Sequence, residues 1–124
     1  MKYLCLVYLD ENRLDELPDE DCVDFDTAIR KSGHCIASEA LESVQTATTV
    51  RVRSGRVSLT DGPFAETKEQ LAGFYMIEAR DLNEAIQLAS KIPPARVGSV
   101  EVRPIRPIRE TVARAGSQQR KNNS

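Results

Sequence analysis

Lys2-Tyr3-Leu4-Cys5-Leu6-Val7-Tyr8-Leu9 is the stretch that decides the fold of this chain. Successive side chains of a strand point to opposite faces. Here both alternating sets are apolar, with Tyr3, Cys5, Val7 and Leu9 on one side and Leu4, Leu6 and Tyr8 on the other. Such a strand is covered on both faces and lies in the middle of its sheet. Gly73-Phe74-Tyr75-Met76-Ile77-Glu78-Ala79 repeats the two-sided pattern, which predicts a second central strand.

Between these two lie weaker elements. Pro18-Asp19-Glu20-Asp21 places acids where a helix macrodipole favours them, and Cys22, Phe25, Ala28 and Ile29 form an apolar stripe up to Gly33. A helix is predicted from Asp19 to Ser32. Cys35, Ala37, Glu39 and Leu41 alternate with Ile36, Ser38 and Ala40 in a less strongly patterned strand. Thr48 to Arg53 and Arg56 to Thr60, joined by Ser54-Gly55, read as a hairpin with Val50 and Val52 on one face and Arg51 and Arg53 on the other. Asp81-Leu82-Asn83-Glu84 has the form of a capping box, and Leu82, Ala85, Ile86, Ala89 and Ile92 follow at helical spacing as far as Pro93-Pro94. Val100 and Val102, alternating with Glu101 and Arg103, make the last strand, ended by Pro104.

The order is β-α-β, an inserted hairpin, then β-α-β, the split plan of ferredoxin-like α+β domains. Two helices on one face leave the other face of a two-sided sheet bare. A second copy packing sheet to sheet covers it most economically, so a homodimer is expected.

Composition narrows the function classes. At 124 residues the chain makes one domain that buries roughly two thirds of its unfolded surface. A formal charge of −2, with both signs interspersed, calls for neither nucleic acid nor a membrane surface. The first residues lack the apolar run and cleavage site of a signal peptide, and no segment has transmembrane length. Cys5, Cys22 and Cys35 are odd in number and lack CxxC spacing, so buried thiols in a cytoplasmic protein are expected. From Ala115 the chain has almost no apolar content, and a flexible end is expected there.

Asp61-Gly62-Pro63-Phe64, continuing through Ala65-Glu66-Thr67-Lys68-Glu69, is rich in turn chemistry and charge. Asp61, Glu66, Lys68 and Glu69 either converge on a cleft, with a carboxylate as general base and Lys68 as partner of an anion, or form a solvated charged loop. His34 is the one histidine and so the default proton shuttle, though its place after a helix C-terminus equally suits a capping role. Cys22 stands among Asp19, Asp21 and Asp24, which would raise its pKa. Arg51, Arg53 and Arg56 make a basic stripe, either an anion site or the solvent face of the hairpin. Tyr8, Phe64, Phe74 and Tyr75 supply aromatic surface for a pocket or an interface. No Gly-rich phosphate loop, HExxH or Gly-x-Ser-x-Gly occurs. Nothing in the sequence calls for a cofactor or a metal.

The Asp61-Gly62-Pro63-Phe64 run, with Lys2 to Tyr8, Thr48 to Arg53 and Gly98 to Pro104, resembles the DGPF branch of the YCII-related family over about residues 1–106, leaving 107–124 as an extension. The resemblance implies a ferredoxin-like domain that forms a dimeric α/β barrel. It also implies one of two roles. The first is a cofactor-independent enzyme that moves protons on a small organic molecule near the Asp61 loop; the reading of the residues themselves gives it Asp61 and His34 as catalytic groups and Lys68, Glu66, Glu69, Phe64 and Tyr8 as substrate contacts. The second is a non-catalytic ligand-binding or regulatory accessory to an extracytoplasmic-function sigma factor. In the wider family the proposed active site is a His-Asp pair with its histidine on the first helix, and that position here falls near Cys22.

Overall fold

A computed structural model of the chain describes residues 1–108. The flexible end expected from Ala115 lies outside the described residues. Among the described residues six strands and two α-helices follow one another as β1 (Lys2–Leu9), α1 (Asp19–Lys31), β2 (Cys35–Ala40), β3 (Thr48–Arg53), β4 (Arg56–Asp61), β5 (Gln70–Glu78), α2 (Leu82–Ala89) and β6 (Ser99–Pro104). Short 3₁₀ turns at Glu11–Glu16, Val44–Thr46 and Pro93–Arg96 join them.

Four strands form an antiparallel sheet in the order β2-β5-β1-β6. The two doubly apolar strands occupy its centre, as their pattern requires. This α+β arrangement is compatible with the ferredoxin-like plan. Among the described residues the sheet is open, with β2 and β6 as its edges, and no closed barrel is formed.

Both helices pack on one face. Phe25 and Ile29 of α1 and Ala85 and Ala89 of α2 join Tyr3, Cys5, Val7, Ile77 and Ile92 in a single apolar core. Each helix begins as its sequence dictates. Three acids fill the first turn of α1, and Asp81 caps α2 by accepting a 2.9 Å hydrogen bond from the Glu84 N–H. Gly33, with φ +82°, takes the left-handed turn that leads out of α1. α2 stops at Ala89, short of the Pro93-Pro94 limit, and its Leu82 and Ile86 are about half exposed, so the buried stripe is Ala85 and Ala89, with Ile92 beyond the helix.

Two register shifts were not legible in the alternation. Ile36 is an extra residue in β2, so Cys35 opposite Ile77 shares the helix-facing side with Ser38 opposite Tyr75. Ala72 is the corresponding extra residue in β5 between Gly73 and Leu71, which face Val7 and Tyr8. On the opposite side of the sheet, Leu4, Leu6 and Tyr8 lie beside Phe74, Met76 and Leu71, half-buried and outside the core cluster.

β3 and β4 stand apart as a separate two-stranded arm. Ser54 and Gly55 both adopt positive φ, the geometry of a tight hairpin turn. Every residue of β4 and all but Thr49 of β3 are exposed. No helix among the described residues is long and apolar enough to cross a membrane.

Candidate functional site

A groove of about 640 Å³ opens between α1 and the β2-β5 side of the sheet. Its apolar walls include Val7, Leu9, Leu17, Val23 and Pro94. One stripe of α1 supplies its polar wall, because residues four apart share a helix face and Cys22, Asp26 and Arg30 are spaced in that way. This stripe runs beside the core stripe of Phe25 and Ile29, which anchors the helix and so aims the polar groups into the groove.

Arg30 is held from two sides. Its Nε donates to Asp26 Oδ2 at 3.0 Å, and its Nη2 donates to Ser38 Oγ at 2.7 Å. Ser38 faces Tyr75 across the β2-β5 pair, and the Tyr75 ring meets Phe25 edge to face with centroids 5.3 Å apart. Burial, reinforced by Asp26 and the thiols of Cys22 and Cys35, pushes the Tyr75 hydroxyl up to about 12, against the opposing pull of Arg30. Tyr75 is therefore a neutral hydrogen-bonding group at any physiological pH. The Cys22 thiol is raised as well, by burial first and then by Asp19 and Asp21, which Arg96 only partly offsets. It is thus a protonated thiol near neutrality and a poor nucleophile. Its acids act in the direction their spacing implies, but Cys22 lines the groove and is absent from the core.

Among the described residues, the charged groups lining the groove are Asp19, Asp26 and Glu39 against the single cation Arg30. That balance favours a neutral or cationic polar group over an anion. Thr27, Ser38 and Tyr75 add hydroxyls, so the groove suits an apolar body with a hydroxyl or amine at one end.

None of Asp61, His34, Lys68, Glu66, Glu69, Phe64 and Tyr8 is among the residues that line this groove, whereas Cys22, Phe74 and Tyr75 are. Asp61 ends β4 opposite Thr48, exposed, and among the described residues its side chain makes no hydrogen bond or ion pair. Glu66 and Lys68 are likewise exposed, and Phe64 is 79% exposed. Glu69 accepts a 2.8 Å hydrogen bond from Ser99 Oγ, tying the segment before β5 to the edge strand β6. Tyr8 sits half-buried on the uncovered side of the sheet. His34 is bound into the β2-β5 edge. It accepts the Glu78 N–H on its own carbonyl at 2.8 Å, while its Nδ1 lies 2.8 Å from the Glu78 carbonyl, so Nδ1 carries the proton. Gln70 and Glu78 mark the two ends of β5, about 27 Å apart at the usual strand rise, so His34 and the Glu66–Glu69 segment are at opposite ends of the sheet. Among the described residues no three His, Cys, Asp or Glu side chains come together in a metal-binding group.

Sequence comparison adds the family. A protein of Rhizobium meliloti (strain 1021), itself described only as uncharacterised, is 49% identical over 61 residues. That alignment covers 48% of this chain and 49% of the relative, so it spans about half of each. The YCII-related domain matches residues 1–109, from the first residue of the sequence through β6, and by that match the chain belongs to the YCII-related family.

Proposed function

We propose that this chain acts, without a cofactor, on a small organic molecule bound in the groove beneath α1, and that it works as a homodimer paired through the uncovered side of its sheet. The observation that carries the site is the braced Asp26-Arg30-Ser38 set beside Tyr75, a fixed polar wall in an otherwise apolar groove. Apolar walls supply affinity and a few fixed polar groups supply orientation. Arg30, already satisfied by Asp26 and Ser38, holds the Asp26 carboxylate where it can take a proton from the ligand. Tyr75, protonated up to about 12, donates a hydrogen bond to the same end of that ligand. Cys22 occupies the groove near the position where the family's proposed histidine is expected, so proton transfer here falls to Asp26.

The Asp61 run has a different part in this reading. Gly62, with φ +98°, donates its N–H to the Ala47 carbonyl at 2.7 Å and accepts from Thr49 Oγ1 at 2.8 Å, so the run closes the base of the arm. One observation favours a second, non-catalytic reading of the same groove: Asp26 is committed to an ion pair, as suits a binding site that senses a ligand, including one that answers to a sigma factor.

A thermal-shift screen of small alcohols and amines with apolar bodies tests the assignment. Hits should stabilise wild type and Asp61→Asn alike and lose their effect in Arg30→Met. Hits that survive in Arg30→Met but vanish in Asp61→Asn would move the site to the loop. Turnover of a hit that Asp26→Asn abolishes while binding persists selects the enzyme. Binding by both proteins with no turnover selects the sensor.

A further inference from the structure

The arm formed by β3 and β4 has an apolar face that no other described residue covers. Val50 faces Leu59 and Val52 faces Val57 across the ladder, so all four project from one side, and each is more than half exposed. An isolated two-stranded hairpin is marginal in water at best. Four aliphatic side chains in one patch also approach the few hundred Å² that soluble monomers seldom leave uncovered. The arm is therefore built to lie against something.

Charge selects the partner surface. Residues 48–61 carry three arginines and one aspartate, net +2, whereas the other described residues carry ten basic and seventeen acidic side chains, net −7. Two arms repel each other, while an arm and a body attract. The uncovered apolar area on the body is the sheet side formed by Leu4, Leu6, Tyr8, Phe74 and Met76. Size points the same way, because a stable interface buries about 800 Å² on each partner, more than the arm patch offers alone. Arm and sheet side together, used reciprocally across a twofold axis, reach that scale.

We infer that the β3-β4 arm of one copy reaches over to a second copy and packs Val50, Val52, Val57 and Leu59 against that copy's uncovered sheet side. This rests on the dimer reading above and deepens it: the dimer is clasped by its arms as well as paired through its sheets.

Two experiments on the full chain test it. In sedimentation equilibrium, wild type should run at twice the chain mass. A Val57→Asp/Leu59→Asp double variant should weaken the dimer at least tenfold with an unchanged circular dichroism spectrum, since both residues are exposed within one chain. Leu6→Asp, on the sheet side, is the reference. If Leu6→Asp dissociates the dimer and the arm variant does not, the sheet dimer stands and the clasp is overturned. If wild type is a monomer, both fall. The second experiment places benzoylphenylalanine at position 57 in a mixture of ¹⁴N and ¹⁵N chains. Mixed-isotope cross-links into Lys2–Leu9 or Gln70–Glu78 support the clasp. Cross-links to the other arm or to residues 109–124, or within one chain alone, refute it.

Discussion

Gly98 makes the sharpest quantitative test of how the turn before β6 meets β1. A Cβ built there would stand 2.1 Å from the Tyr8 carbonyl oxygen and 3.2 Å from Leu9 Cα. Both neighbours are backbone of the central strand and cannot swing aside as a side-chain tip would. Ordinary carbon-oxygen contact needs roughly 1 Å more, so Gly98→Ala must push the turn away from β1 and open the terminal Tyr8-Ser99 pair of the β1-β6 ladder. Overpacking of this kind costs about 1–3 kcal/mol. A lost backbone hydrogen bond adds about 1 kcal/mol. The stiffer unfolded chain of the alanine variant returns about 0.4–1 kcal/mol. The net loss is about 1–3.6 kcal/mol, which for a domain of this size lowers Tm by roughly 4–14 °C. Urea unfolding followed by circular dichroism, at one protein concentration for all variants, measures it. Because the Gly98 N–H also donates to the Pro94 carbonyl at 2.7 Å and Pro94 lines the groove, the same variant should weaken ligand binding. A Gly98→Ala protein within 0.5 kcal/mol of wild type would refute the close approach.

Three further outcomes follow from the same structure. Burial raises the Cys5 thiol to about 11 from 9.0 and Tyr75 to about 12 from 10.0, so both stay protonated in the folded chain after the unfolded chain has begun to lose its protons. Their contribution is full below pH 9 and drains away as pH climbs towards 11–12, with Cys5 accounting for about 2–3 kcal/mol; urea midpoints at pH 8 and pH 11 should differ in that direction, and less so in Cys5→Ala. Thiol labelling at pH 8 should modify Cys22 and Cys35 while sparing Cys5, which is fully buried, until urea unfolds the chain; equal rates at all three would contradict the core. Asp81→Ala removes the cap of α2 and should cost about 1 kcal/mol in the same urea assay, and Asp81→Asn should restore most of it.

How much of this was legible depended on where each signal sits along the chain. The central place of β1 followed from eight consecutive residues, and α1 from its acids, its stripe and Gly33, all local. β5 starts at Gln70, three residues before the predicted strand, because Gln70 and Leu71 pair with Leu9 and Tyr8, a long-range partnership that local pattern does not contain. The extra residues Ile36 and Ala72 are invisible for the same reason, since a bulge is defined only against its neighbour strand. The groove is not legible in local pattern because its polar wall draws on α1, β2 and β5 together. One signal was available: Cys22, Asp26 and Arg30 at intervals of four, beside the core stripe Phe25 and Ile29, put a polar line along the flank of a packed helix. Asp61 and Gly62, the first half of the most conspicuous motif in the sequence, end β4 and close the base of the arm.

The central claim is that the functional site is the groove beneath α1, and a crystal soaked with the hits of the alcohol and amine screen tests it most directly. Ligand density is expected between α1 and β5, with a polar atom within hydrogen-bonding distance of Asp26, Ser38 or Tyr75 and the apolar body against Val7 and Leu17. Density confined to the Asp61–Glu69 loop, with an empty groove in the same crystal, would contradict it.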